Sequence, residues 1–297
     1  MKAQSRREWT NYLFILPIFI LFAVFIVYPI VYNILISFYE WSGVGAEKLF
    51  VGLQNYKTVF SGKVIYKILR NFVVFALVTI TTQAVLGMIF ASFFINRLRG
   101  SSVFRILFYL PAVVTSTIVG QVFSKFFEAN RGYLNTLLRS LGMGGLCRTW
   151  LADPSLALGC LCFVNIWQWT GYSMLLYYAG MLNIGNDIYE AAEIDGAKRW
   201  RKMWYITLPG IKGTIVIMLI FAVAGILNNN FDQIYVLQNA FNMERSEVID
   251  TYIYKVGLQQ LQFGVAAAIN IFKSVLALIL LLSANKISNK LTDSGLF

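Results

Sequence analysis

The chain has 297 residues, of which 58% are hydrophobic, 16% aromatic and 13% charged. A soluble domain carries about 25% charged residues, so the composition excludes an ordinary water-soluble protein and points to lipid as the solvent. The formal net charge of +11 does not mark a nucleic-acid binder, because the Lys and Arg residues punctuate the apolar runs and form no single patch.

In chain order, six apolar runs have the roughly 20 residues that a helix needs to cross a bilayer: 11–36, 71–95, 103–127, 156–181, 214–237 and 263–284. A lone span must satisfy its backbone hydrogen bonds internally, so helices are expected, and the alternation of an outer-membrane barrel is absent. The expected fold is an all-α polytopic membrane protein of six transmembrane helices, forming a single domain over 1–297. Ser5-Arg6-Arg7 ahead of the first run half-matches a twin-arginine signal. That run is too long for a signal core and lacks a small-residue cleavage site, so a retained span is expected.

The 38–70 segment holds Gly43, Gly45, Gly52 and Gly62 and is expected to be partly irregular. A short basic turn follows at 97–105, and a glycine-rich loop at 128–155. In the fourth run Asn165, Trp169 and Tyr172 recur at i, i+4 and i+7, one helical face. Cys147, Cys160 and Cys162 are odd in number and there is no His, which argues against a disulfide framework or a metal site and for apolar packing.

The insert 183–213 contains "YEAAEIDGAKRWRKMWYITLPG". Residues 189–194 are good helix formers, with acidic groups placed to favour the helix dipole. Gly196 permits a positive φ. Lys198, Arg199, Arg201 and Lys202 follow, then Trp200, Met203 and Trp204 form an apolar stripe, and Pro209 is expected to interrupt the helix. Two short helices at an angle would make a compact knob, with Glu190 placed for a basic partner group. The plain alternative is a solvated loop whose charges set topology.

In the fifth run Asn228, Asp232 and Tyr235 share one helical spacing, with Asn229, Asn230 and Gln233 beside them; the sixth offers Asn270, Lys273 and Ser274. Amides and carboxylates bond hydroxyls and rings stack on pyranose faces, so these groups are candidates for a sugar path. Alternatively the aromatics belong to the membrane interfaces, the amides pack helices, and Asp232 pairs with Lys273.

The ordered set Glu190, Ala191, Ala192, Gly196, Ala197, Ile206, Leu208 and Pro209 resembles the conserved cytoplasmic loop of the permease subunits of bacterial ABC importers. "FILPIFILFAVFIVYPIVYNILISFYEW", "FVGLQNYKTVF", "FVNIWQWTGYSMLLYYAGM" and the region from "FDQIYVLQNAFNM" to "INIFKS" resemble permeases for oligosaccharides or polysaccharide fragments. One departure is Ile184-Gly185, where the family has Ile-Pro. The resemblance implies a bacterial inner-membrane protein, with its coupling loop in the cytoplasm and both termini inside. Thirteen basic residues on that side against eleven opposite lean the same way. It also implies a second, different permease, two ATPase subunits that hold ATP and Mg, an external binding lipoprotein and a carbohydrate substrate. The chain has no GxxxxGK[ST] loop, so no ATP hydrolysis, catalytic residue, cofactor or metal is expected of it. A secondary sugar transporter driven by an ion gradient is the alternative; no internal repeat, no His and one mid-span acid, Asp232, speak against it.

Overall fold

The structure is a computed structural model and describes residues 14–95, 100–228 and 231–292. Among the described residues the secondary structure is helical apart from one short hairpin. Helix α1 (Phe14–Ile36) leads to the antiparallel strands β1 (Tyr39–Glu40) and β2 (Leu49–Phe50), with Tyr39 opposite Phe50. Next come α2 (Gln54–Ser61), α3 (Lys63–Phe94), α4 (Ser101–Val113), α5 (Ser116–Phe126), α6 (Tyr133–Ser140) and α7 (Pro154–Leu182). Then follow α8 (Asn186–Ile194), α9 (Arg199–Gly210), α10 (Lys212–Asn228), α11 (Phe231–Leu237), α12 (Met243–Ser246), α13 (Ile249–Tyr254) and α14 (Phe263–Thr292).

Among the described residues α1, α3 and α14 are long and apolar enough to cross a membrane, and two bent pairs, α4–α5 and α9–α10, raise the number to five. Helix α7 has 29 residues, about 43 Å at 1.5 Å per residue; Asn165, Gln168 and its Trp and Tyr residues lower its apolarity. It starts on Asp153, whose carboxylate accepts from the Ser155 N–H at 2.8 Å, and on Pro154 at the first helical position.

Two expectations are corrected in the backbone. The 103–127 run is not one straight helix: α4 and α5 meet at 96°, with Val114 and Thr115 extended between them. A β-branched triplet, Val113-Val114-Thr115, weakens the helix there. Pro209 does not interrupt its helix. A proline removes one bond and crowds the carbonyl four residues back, and α9 absorbs this by widening into a π turn over Met203–Thr207, closed by the Leu208 N–H on the Met203 carbonyl. Helix α1 treats Pro29 alike, with a π turn over Ala23–Val27 closed by Tyr28 on Ala23. The break before α10 falls instead at Ile211, with a bend of 66°.

The chain divides into two compact units, Met1–Ile65 with Tyr252–Ser274, and Tyr66–Thr251 with Val275–Phe297. In the first, α1 is exposed along its whole length from Phe14 to Val31, as an all-apolar helix facing a nonaqueous solvent should be. Buried Asn55 donates to the carbonyls of Ser37 and Tyr39, both at 2.9 Å, and so fixes the turn from α1 into the hairpin. The Trp41 ring packs on Phe263 at 5.2 Å, and Lys48 lies over Trp41 and Tyr32.

The second unit is built around α7. Gly171 lets α4 approach until a Cβ there would collide with the Phe108 carbonyl, and Gly180 does the same for Thr214 of α10. One apolar core joins Phe75, Phe123, Leu161, Val164, Ile234 and Leu237, with Cys160 and Cys162 inside it as packing residues. A second joins Ala91, Met174, Tyr177, Met181, Ile211 and Met218. Asn135 ties the 128–155 loop, donating to Ala129 and Arg148 carbonyls and accepting from Trp150 Nε1, each at 2.8 Å.

Candidate functional site

Two features of the second unit stand out, an exposed knob and an amide-walled cavity. The knob is α8–α9. Gly185 caps α8 with φ −57°, a value that proline also adopts, so a glycine there leaves the helix start in place. Helix α8 ends in a Schellman turn: Ala197 N–H bonds the Ala192 carbonyl at 2.8 Å and Gly196 N–H the Glu193 carbonyl at 3.0 Å. Gly196 sits at φ +72°, the left-handed region that a Cβ disfavours.

Side chains then tie the two helices. Lys202 bonds Glu193, and the Tyr189 hydroxyl meets Thr207 Oγ1 at 3.0 Å. Among the exposed charges of the knob, such as Lys198, Arg199 and Arg201, it also presents large apolar groups: Ile194 is 88% exposed, Tyr205 78%, Trp200 73% and Trp204 54%. Trp200 and Trp204 pack edge to face at 6.0 Å. Glu190 and Ala191 are exposed, Ala192, Ala197, Ile206 and Leu208 half-buried, and Gly196 and Pro209 exposed. Exposed aromatics on a braced helix pair fit a protein interface better than a solvated loop.

The cavity, about 200 Å³, lies between α3, α7 and α10 and is lined by Gln83, Asn165, Trp169, Tyr172 and Ser173 with apolar Ile80, Met218, Phe221, Ala222 and Gly225. The structure thus gathers Asn165, Trp169 and Tyr172 on one wall, with Trp169 and Tyr172 edge to face at 6.1 Å. Of the fifth run, Gln233 is 1% exposed and turns away into the protein. Asp232 and Tyr235 lie on the exposed side of α11, Tyr235 stacking on Phe231 at 5.3 Å. Asn228 closes α10; its side chain and all of Asn229 and Asn230 lie outside the described residues. Lys273 belongs to the first unit, on α14.

Two cavity-related residues escaped the sequence reading, Gln83 and Gln168. Each is an amide within an apolar run, and that rarity was the available signal. Gln168 also lies three residues after Asn165, on nearly the same face.

A largely helical chain with several candidate membrane-spanning helices, a polar-walled cavity between three of its helices and an exposed aromatic knob has the build of an integral membrane protein. Residues 49–293 match the family of binding-protein-dependent transport system inner membrane components. The chain belongs to that family. It is 31% identical to the polygalacturonan/rhamnogalacturonan transport system permease protein of Bacillus subtilis (strain 168), over 96% of this chain and 89% of that one. It is likewise 31% identical to the trehalose/maltose transport system permease protein of Thermococcus litoralis, over 93% and 92%. A chain of a bacterial alginate ABC transporter, crystallised with an alginate pentasaccharide-bound periplasmic protein, superposes with a TM-score of 0.88 at 26% identity, covering 100% of this chain and 99% of that one. Family membership favours the ABC permease over the ion-driven transporter.

Proposed function

We propose that the chain is the membrane-spanning permease subunit of an ATP-driven importer for a carbohydrate delivered by an external binding protein. The observation that carries this reading is the match of residues 49–293 to the family, with its Glu-Ala-Ala segment held on a braced, aromatic-faced knob. In this reading 1–297 is a single permease domain of six spans, α7 and the two bent pairs included, with both termini and the 183–213 coupling loop in the cytoplasm.

Glu190, Ala191, Ala192, Gly196, Ala197, Ile206, Leu208 and Pro209 form the part that a separate ATPase subunit grips. A second permease supplies the other knob, and ATP with Mg is held on the ATPase pair. Closure of that pair draws the knobs together and turns the cavity outward, where sugar passes from the binding lipoprotein. Hydrolysis reopens it inward. Asn165, Trp169 and Tyr172 are the first contacts assigned to the path, with Asn228, Asn229, Asp232 and Tyr235 as further candidates, while buried Gln233 stands behind the cavity wall.

The test is reconstitution in proteoliposomes. The chain alone is expected to hydrolyse no ATP and pass no sugar, whereas the assembly of two permeases, ATPases and loaded binding protein does both. Sugar flux through the chain alone, driven by a proton or sodium gradient, would overturn the assignment.

A further inference from the structure

Behind the cavity wall the buried amides form one directed chain. At its root is the Val114 carbonyl, which the break between α4 and α5 leaves outside both helices. A backbone carbonyl can only accept, so Gln168 must turn its NH₂ toward it, at 3.0 Å, with Ser116 Oγ beside it at 3.4 Å. Gln168 Oε1 is then left to accept from Gln233 Nε2 at 2.7 Å. Gln233 Oε1 in turn accepts from Asn165 Nδ2 at 3.2 Å, and Asn165 Oδ1 from Gln83 Nε2 at 2.9 Å. The same Gln83 nitrogen also reaches the Asn165 carbonyl at 3.3 Å.

The Val114 carbonyl sets the orientation of Gln168 and, through it, of Gln233 and Asn165, and the Asn165 carbonyl sets Gln83 the same way. Gln168 is 0% exposed, Gln233 1% and Asn165 4%, so reversing any one would face oxygen on oxygen away from water. The chain ends at the cavity, where Gln83 has committed its nitrogen and presents Oε1, an oxygen that takes no hydrogen bond among the described residues. Among the described residues, the lining contains no Lys or Arg.

We propose that this wall is built to accept the hydroxyl of a neutral saccharide ring, and that Gln168 and Gln233 are positioning residues that hold the Gln83 oxygen toward it. The inference rests on the carbohydrate reading above and narrows its substrate class. A carboxylate at this point would meet an acceptor with an acceptor, in a partly apolar site without a balancing cation. At the Gln83 oxygen a ring hydroxyl is therefore favoured over the carboxylate of a uronic acid, while Trp169, Tyr172 and Ser173 supply the donors of the same cavity.

The experiment uses the assembled importer with its binding protein in proteoliposomes. It reads sugar delivered per ATP hydrolysed for maltotriose, xylotriose and arabinotriose against trigalacturonate and trimannuronate. Coupled uptake of a neutral trisaccharide and not of the uronates is expected; coupled uptake of the uronates alone overturns the substrate class. Coupled uptake of neither set overturns the carbohydrate reading itself, and this inference with it.

Gln168→Leu should lower the ratio about tenfold, the scale of one lost hydrogen bond. A residue that merely fills space would lower sugar and ATP turnover together and leave the ratio intact. Gln168→Glu supplies a pH signature: as the neutral acid it keeps one donor and one acceptor, and once ionised it has acceptors only. Its ratio should approach the parent's at low pH and fall to that of Gln168→Leu as pH rises, while the parent stays flat. Should Gln168→Leu fail to fold, Gln83→Leu removes the terminal acceptor, together with the donor to Asn165, and should lose at least as much. A parent-like ratio for Gln83→Leu, or a pH-independent ratio for Gln168→Glu, overturns the positioning role.

Discussion

Within the larger unit, the amide wall and the coupling knob treat their awkward groups in opposite ways. Around the cavity, polar groups are buried and each is joined to the next, from the Val114 carbonyl to Gln83. On the knob, large apolar groups are exposed, and Trp200 packs edge to face on Trp204. A satisfied buried chain has one arrangement and holds it. An exposed aromatic face is unfinished until something covers it. The first is a fixed wall; the second, in the function proposed above, is half of an interface, and substitutions should separate them by what fails: assembly of the fold, or transmission to a partner.

The largest effect should come from the packing that carries the wall. Gly171→Ala places a methyl group against the Phe108 backbone carbonyl, and backbone on both sides leaves nothing flexible to yield. Destabilisation of about 4 kcal/mol or more is expected, read as loss of folded protein in the membrane fraction. Normal accumulation would show that α4 and α7 can part, and the wall would then not be fixed.

Gly196→Val attacks the knob at its turn. No atom outside its own surroundings lies within 4 Å of a Cβ there, so the effect is strain and not collision. A β-branched residue held at φ +72° costs about 1–3 kcal/mol, borne by the turn between α8 and α9. The chain should still insert, and ATP-dependent uptake by the assembled importer should collapse. Full uptake with bound ATPase would remove the turn from the coupling pathway.

Smaller again, and confined to the partner, is Trp200→Ser. With the ring 73% exposed, thermal stability should move by no more than about 0.5 kcal/mol. Affinity for the ATPase subunit should fall roughly 30-fold if the ring is a buried anchor of that interface. Unchanged copurification would move the interface away from the tryptophan pair.

Much of this was legible beforehand, for reasons that differ by residue. Apolar runs disclose spans because lipid admits few charged groups, and Gly196 discloses a turn because only its conformational range fits. The position of breaks was hidden: Pro209 reads as a stop, yet the π turn at Met203–Thr207 lets the helix pass it and bend at Ile211. Helical spacing placed Asn165, Trp169 and Tyr172 together, and all three line the cavity. It could not say that Gln233 would face Asn165 and Gln168, because periodicity gives the face of a helix and not which neighbour meets it.

The least disruptive change tests whether the N-terminal part of α3, at Lys67 and Asn71, resembles the wall or the knob. Helix α12 is attached there by two means. Asn71, 4% exposed, donates to the Glu244 and Glu247 carbonyls at 3.0 and 3.2 Å, and Lys67 bonds the Glu244 carboxylate in the open. Asn71→Ala strands two carbonyls and should cost about 1–3 kcal/mol, with little dependence on pH or salt. The Lys67 ammonium draws the Glu244 carboxyl below its ordinary 4.5, first by hydrogen bonding and then by charge. A group with a depressed folded pKa adds stability that is present above its ordinary value and lost as pH falls through the folded one. Glu244→Gln should therefore lower the melting temperature slightly at pH 7, less than Asn71→Ala does, and the difference should fade as pH drops below 4.5 through the depressed folded value, and in high salt. A pH-independent loss as large as that of Asn71→Ala would mean that the ion pair, and not the buried amide, holds this end of the unit.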